Sequence, residues 1–288
     1  MKTYAYISLI SYYLELIFNH SISCLIQNLT VVSVDTIDFL LKPKRGEESI
    51  VPVLLNAIQE NQNCVDFVSA TCRLLLNISL SKKGVSKIIN AGGGIVLQDL
   101  IKMTQALEVV RPSLSILHNL AYGSASLLGE LVKIDCASSI IATLRSSPKD
   151  HDLCTASFGL LGLLGRADKD TRETISNQKI ISMVLDTIQE IKMLNLQVKA
   201  FSLLNSIDYT VGNELFIKTA KRILDSMQDY PGDREIQYYG CKILLKLVTA
   251  APKSRALKNL IRTGSGKKCL SLVPNSCRCV RDMLLREL

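Results

Sequence analysis

One spacing recurs along this chain and restricts its fold more than any other feature. Two apolar residues, a marker position and then one or two apolar or small residues appear five times. They read Leu75-Leu76-Asn77-Ile78, Ile116-Leu117-His118-Asn119-Leu120, Leu160-Leu161-Gly162-Leu163, Leu203-Leu204-Asn205 and Leu244-Leu245-Lys246-Leu247. The markers at 77, 119, 162, 205 and 246 are separated by 42, 43, 43 and 41 residues. A near-constant period of this length means one supersecondary unit copied end to end. Such a unit cannot bury its apolar face alone and must stack on its neighbours. A chain of 288 residues is large for one globular core and ordinary for such a stack. An earlier copy reads Leu25-Ile26-Gln27-Asn28-Leu29, with Asn28 set 49 residues before Asn77. The run Lys42-Pro43-Lys44-Arg45-Gly46 reads as a loop insertion that would lengthen this gap.

The units are helical. After each marker comes a polar stretch and then a second apolar segment: Ile95, Leu97, Leu100 and Ile101; Ile140, Ile141 and Leu144; Ile180, Ile181, Val184, Leu185 and Ile188; Ile217, Ile223, Leu224 and Met227. Spacings of three and four place these side chains on one helical face. Gly92-Gly93-Gly94 suits a tight turn between two helices. The composition agrees, with 48% hydrophobic residues, seven Pro and no Trp. Leu, Ile and Val must therefore supply the core, and few helices need be interrupted.

Residues 72–101 carry Leu-Leu-Leu-Asn-Ile-Ser, then Ala-Gly-Gly-Gly-Ile, then Leu-Gln-Asp-Leu-Ile, and resemble the armadillo consensus. Residues 114–144 resemble it nearly as well, the copies around Gly162 and Asn205 less so, and the copy around Lys246 is degenerate. The resemblance covers roughly residues 20–275. It implies an all-α, right-handed α-solenoid of about five to six armadillo-like three-helix repeats, whose third helices line a concave groove. Three regions are expected: residues 1–48 as N-terminal helices and a degenerate first repeat, 49–252 as the repeats, and 253–288 as basic capping helices or a tail. Residues 4–18, mostly apolar, read as a buried first helix. A secretory signal or membrane segment is the alternative, which Glu15 and the lack of a small-x-small cleavage site oppose; a misplaced chain start is the third.

In armadillo proteins that bind extended peptides, the marker Asn of the third helix hydrogen-bonds the peptide backbone, since an amide offers both a donor and an acceptor. The positions matching that ladder are Asn77, Asn119 and Asn205, and Gly162 and Lys246 break it. The other reading of these asparagines is packing, with each bonding across to the neighbouring repeat. Nuclear-import adaptors of the superfamily carry a Trp one helical turn earlier. The positions here are Arg73, Ser115, Phe158, Phe201 and Lys242, so the aromatic ladder that clamps Lys side chains is missing. The expected groove is therefore lined by Arg73, Asn77, Ser115, Asn119, Phe158, Phe201, Asn205, Lys242 and Lys246. It would take an extended or helical segment of another protein.

The net charge of +8 is concentrated at one end. Residues 242–288 hold eleven Lys or Arg against two acids, for a net +9, which leaves residues 1–241 at −1. Lys253, Arg255, Lys258, Arg262, Lys267 and Lys268 form this basic end. It reads either as a surface for an acidic partner segment or as the solvated cap of the stack. Nucleic acid is disfavoured, because no reader motif and no interleaved aromatic residues accompany the charge.

Catalytic and cofactor patterns are lacking. His20, His118 and His151 form no metal-ligand pair. Gly264-Ser265-Gly266-Lys267-Lys268 departs from a phosphate loop at its first Gly and at its Ser/Thr. Cys269, Cys277 and Cys279 lack the spacing and the fourth ligand of a zinc site. Nine cysteines set mostly in apolar runs suggest reduced thiols of a cytoplasmic protein, with a nuclear location possible. The expectation is a scaffold or adaptor with no enzyme activity, cofactor, metal, membrane contact or small-molecule substrate. The resemblance leaves a co-chaperone as the alternative, of the Hsp70 exchange-factor kind or the client-binding kind of myosin and dynein-assembly chaperones.

Overall fold

The computed structural model describes residues 49–209 and 213–288. The expectations for residues 1–48, including the first helix and the copy around Asn28, lie outside the described residues. Among those described are sixteen α-helices and no strand. In chain order they are α1 (Ile50–Glu60), α2 (Val65–Ile78), α3 (Lys82–Asn90), α4 (Gly93–Met103), α5 (Leu107–Gly123), α6 (Ala125–Lys133), α7 (Cys136–Ser146) and α8 (His151–Ala167). There follow α9 (Lys169–Ile175), α10 (Gln178–Glu190), α11 (Leu194–Ser206), α12 (Asn213–Asp229), α13 (Arg234–Ala250), α14 (Arg255–Arg262), α15 (Gly264–Ser271) and α16 (Arg278–Glu287). The chain forms two compact units, divided between Leu127 and Leu128.

The helices follow the period of the sequence. The markers fall on α2, α5, α8, α11 and α13, each the last helix of its repeat. Leu75, Leu117, Leu160, Leu203 and Leu244, each two residues before a marker, are at most 1% exposed. Three of the turns between short helices pass through a left-handed residue. Gly92 (φ 76°), Asp135 (φ 50°) and Gly264 (φ 51°) are the only positive-φ residues described; Gly92 and Asp135 stand between the first and second helix of a triplet, and Gly264 opens the second. Only Gly, and less often Asn or Asp, adopts this conformation at low cost. Gly264 is thus a turn of the repeat. The repeat ending in α13 differs from expectation: the described helix before it is the single, 17-residue α12. No Gly or Pro interrupts the sequence from 214 to 229, so nothing breaks the helix there.

Polar side chains close the helix ends. Asp150, Asp168 and Asp233 accept the amides of Leu153, Thr171 and Ile236 at 2.8, 2.7 and 2.9 Å, as N-caps do. Two buried glutamines clamp the turn into the third helix. Gln197 donates to the carbonyls of Ile188 and Ile191, and Gln237 to those of Met227 and Tyr230.

In the first unit α5 packs on α2 around a proline. Pro112 lies inside α5 and has no N–H for the carbonyl of Glu108, four residues earlier. The hydroxyl of Ser69, on α2, donates to that carbonyl instead, at 3.0 Å. In the second unit a glycine sets the approach of α8 to α11. A Cβ at Gly162 would lie 3.2 Å from the backbone nitrogen of Leu203, so a side chain at this marker would require α11 to give by a few tenths of an ångström.

Candidate protein-binding face

The third helices place the expected groove residues in three distinct situations. Phe158 and Phe201 are fully buried and line no groove, which corrects the expectation. Both lie on α8 and α11, which approach closely where Gly162 meets the backbone of Leu203. Arg73 is exposed, and Asn77, Ser115, Asn119, Asn205, Lys242 and Lys246 are half-buried.

Two of the half-buried markers are engaged across repeats. The amide nitrogen of Asn119 donates to the Ser79 hydroxyl at 2.9 Å, and Ser79 is the C-cap of the preceding third helix. Lys246 does the same with a longer arm. Its ammonium donates to the carbonyls of Asn205 and, at 3.2 Å, Ile207, at the C-terminal end of α11. A cation is favoured at the negative end of a helix, where the last carbonyls lack partners. Asn77 is engaged too. Ser115 returns its hydroxyl to the Arg111 carbonyl of its own helix.

Asn205 differs. Its backbone carbonyl receives Lys246, but its half-exposed side-chain amide makes no hydrogen bond to any described residue. Around it the third helices of the second unit carry cations that sequence reading had not assembled. Arg166, at the end of α8, donates to the Ser202 hydroxyl at 2.9 Å. Lys199 of α11 is held below the ordinary lysine range, first by burial and then by Arg166, with Glu235 opposing. Lys246 is lowered as well, by burial first, with Asp208 opposing and Arg172 and Lys242 adding to the shift. Lys242 stands 4.5 Å above the ring of Tyr238, one turn earlier, in a cation–π contact. Burial is the first cause of both shifts, because it disfavours the charged form. The spacing of Tyr238, Lys242 and Lys246 by four was legible in the sequence. Lys199 and Arg166 were not, since neither stands at a marker or one turn before one.

The basic end falls on α14 and α15. Lys253, Arg255, Arg262, Lys267 and Lys268 are exposed, and Lys258 donates to the Glu287 carbonyl at 2.8 Å.

Little here suits chemistry. Burial pushes the thiols of Cys72, Cys154, Cys241 and Cys269 up to about 12, so none is a thiolate at neutral pH. Among the described residues no group of three His, Cys, Asp or Glu is placed to hold a metal ion. A shallow depression of about 640 Å³ beside Pro148, Gln178 and Met183 contains neither His nor Cys. No described helix is long and apolar enough to cross a membrane.

No protein-family model and no curated protein matches the chain. Solved structures do. An engineered protein is similar at 16% identity and a TM-score of 0.62, over 83% of this chain and 96% of that one. A designed armadillo repeat protein in complex with the peptide (KR)4 is similar at 13% identity and a TM-score of 0.57, over 82% and 98%. Computationally designed armadillo repeat proteins for modular peptide recognition give 13%, 0.59, 83% and 99%. These likenesses are of fold, and together with the helix order they define the chain as an armadillo-type α-solenoid.

Proposed function

We propose that this chain is a non-catalytic scaffold that holds an acidic segment of another protein against the third helices of its second unit. The carrying observation is the Asn205 amide, half-exposed and without a partner among the described residues, beside Lys246, which meets the Asn205 carbonyl, and Lys242 one turn before it. An amide left open can pair with the backbone of an extended segment, one donor to one acceptor. The lysines add the sign of the ligand. The designed armadillo protein in complex with (KR)4 holds an all-cationic peptide. Third helices that carry lysines call for the opposite charge.

The test is affinity purification with wild type, Asn205→Ala and Lys242→Glu, followed by peptide mapping of any recovered partner. The reading expects a partner whose mapped segment is acidic and whose recovery falls in both variants. Equal recovery in all three would overturn it. Hsp70 recovered in a nucleotide-sensitive manner and unaffected by either substitution would favour a co-chaperone instead.

A further inference from the structure

From Ile236 to Val280 the chain contains no Asp or Glu. Four cations elsewhere in the second unit have carboxylate partners: Lys169 with Glu173, Lys192 with Asp229, Lys218 with Asp186, and Arg172 with Asp208. On the last repeat Lys253, Arg255, Arg262, Lys267 and Lys268 have none among the described residues. The nearby acid Asp282 is already held by Arg278 at 3.6 Å and Arg281 at 2.9 Å.

These cations are ordered by their helices. Arg255, Lys258 and Arg262 stand at i, i+3 and i+7 along α14, which is one stripe of an α-helix. Leu257 and Ile261, on the opposite side, are fully buried and fix the stripe outward. On α15, Lys267 and Lys268 are exposed, and Leu272, one turn after Lys268, is half exposed.

We propose that α14 and α15 form a second docking surface, separate from the third-helix face, for an acidic amphipathic helix of a partner protein. A partner helix with Asp or Glu seven residues apart would set a carboxylate against Arg255 and another against Arg262, and Arg binds carboxylates through two parallel hydrogen bonds. Leu272 gives the partner's apolar face a place to rest. Other polyanions fit less well. Residues 251–288 contain no Phe, Tyr or Trp, so no base can stack. The apolar side of α14 is spent in the core, so it has nothing to sink into a bilayer.

The experiment uses the full chain and a fluorescein-labelled 18-residue peptide with Glu and Leu on opposite helical faces, followed by fluorescence anisotropy. Binding should weaken as NaCl rises from 50 to 300 mM and vanish when every Glu is replaced by Gln. Arg255→Glu with Arg262→Glu and Lys268→Glu should weaken it at least tenfold. All three sites are exposed, and a Glu at 255 favours the first turn of α14, so the variant should keep the helical circular dichroism of wild type. A Gln version of the same triple substitution should also weaken binding, by less. Asn205→Ala should leave it unchanged, which separates this surface from the proposed groove. Unchanged affinity in both triple variants would overturn the proposal. So would tighter binding of a 20-base-pair duplex or of phosphatidylserine vesicles, each pointing to a different polyanion.

Discussion

Asn119→Ala and Asn205→Ala should act oppositely, although both residues hold the same repeat position. Asn119 donates to Ser79 at 2.9 Å across a half-buried interface within the first unit. A hydrogen bond of this kind contributes about 0.5–1.5 kcal/mol net. The lower half of that range applies, because Ser79 keeps its bond to the Leu76 carbonyl and is not orphaned. Alanine also gains helix propensity over Asn, by several tenths of a kcal/mol. The expected loss is therefore about 0.5 kcal/mol. Asn205→Ala removes no hydrogen bond to a described residue and gains the same propensity, so its stability should match or slightly exceed wild type.

Urea unfolding followed by circular dichroism measures both. With a slope of about 2–3 kcal/mol per molar urea, the first change lowers the midpoint by about 0.2 M, and the second leaves it or raises it slightly. A cycle with Ser79→Ala isolates the pair: the two losses should not add, since either substitution breaks the same bond. Additive losses would refute the inter-repeat bond. A loss for Asn205→Ala as large as for Asn119→Ala would refute the claim that its amide is open.

Ser69→Ala should cost about 1–2 kcal/mol, because it orphans the Glu108 carbonyl that Pro112 cannot serve. In a Pro112→Ala background the cost should disappear, since the alanine supplies the amide; urea midpoints of the four proteins check this. Leu117→Asp should unfold the first unit, because a charge at a fully buried helix interface costs several kcal/mol, and an unchanged thermal transition would contradict the repeat register. Asp168, whose carboxylate is held below its ordinary range first by the Thr171 amide, binds its proton less readily folded than unfolded. Its stabilisation is full above the unfolded carboxylate value and is lost as pH falls through the lowered one. Asp168→Asn keeps a capping oxygen but should remove that part of the acid dependence, read from melting temperatures between pH 6 and pH 2.

How much was legible depends on what the period determines. A spacing of 41 to 43 residues with Leu two places before each marker fixes which side faces the core, and Leu75, Leu117, Leu160, Leu203 and Leu244 follow it. The same spacing says nothing about how near adjacent helices come. Gly162 lets the backbone of α11 approach α8, and Phe158 and Phe201, expected in a groove, are in the core. Where a single long helix replaces two short ones, at α12, the missing signal was a missing turn residue.

The role of each marker was harder to read, because it is decided one repeat earlier. Asn119 bonds to Ser79, two residues after the preceding marker, Asn77. The corresponding position before Asn205 is Leu164, fully buried and without a hydroxyl, so the amide of Asn205 finds no such partner. Before Lys246 it is Ile207, whose side chain offers nothing but whose carbonyl a long cation can reach. Identical asparagines thus divide between stacking across repeats and standing open according to a residue about 40 positions away, a dependence that no single motif displays. The proposed opening for a ligand falls in the second unit for the same reason: an apolar neighbour leaves an amide to spare there, and lysines set the charge of what can fill it.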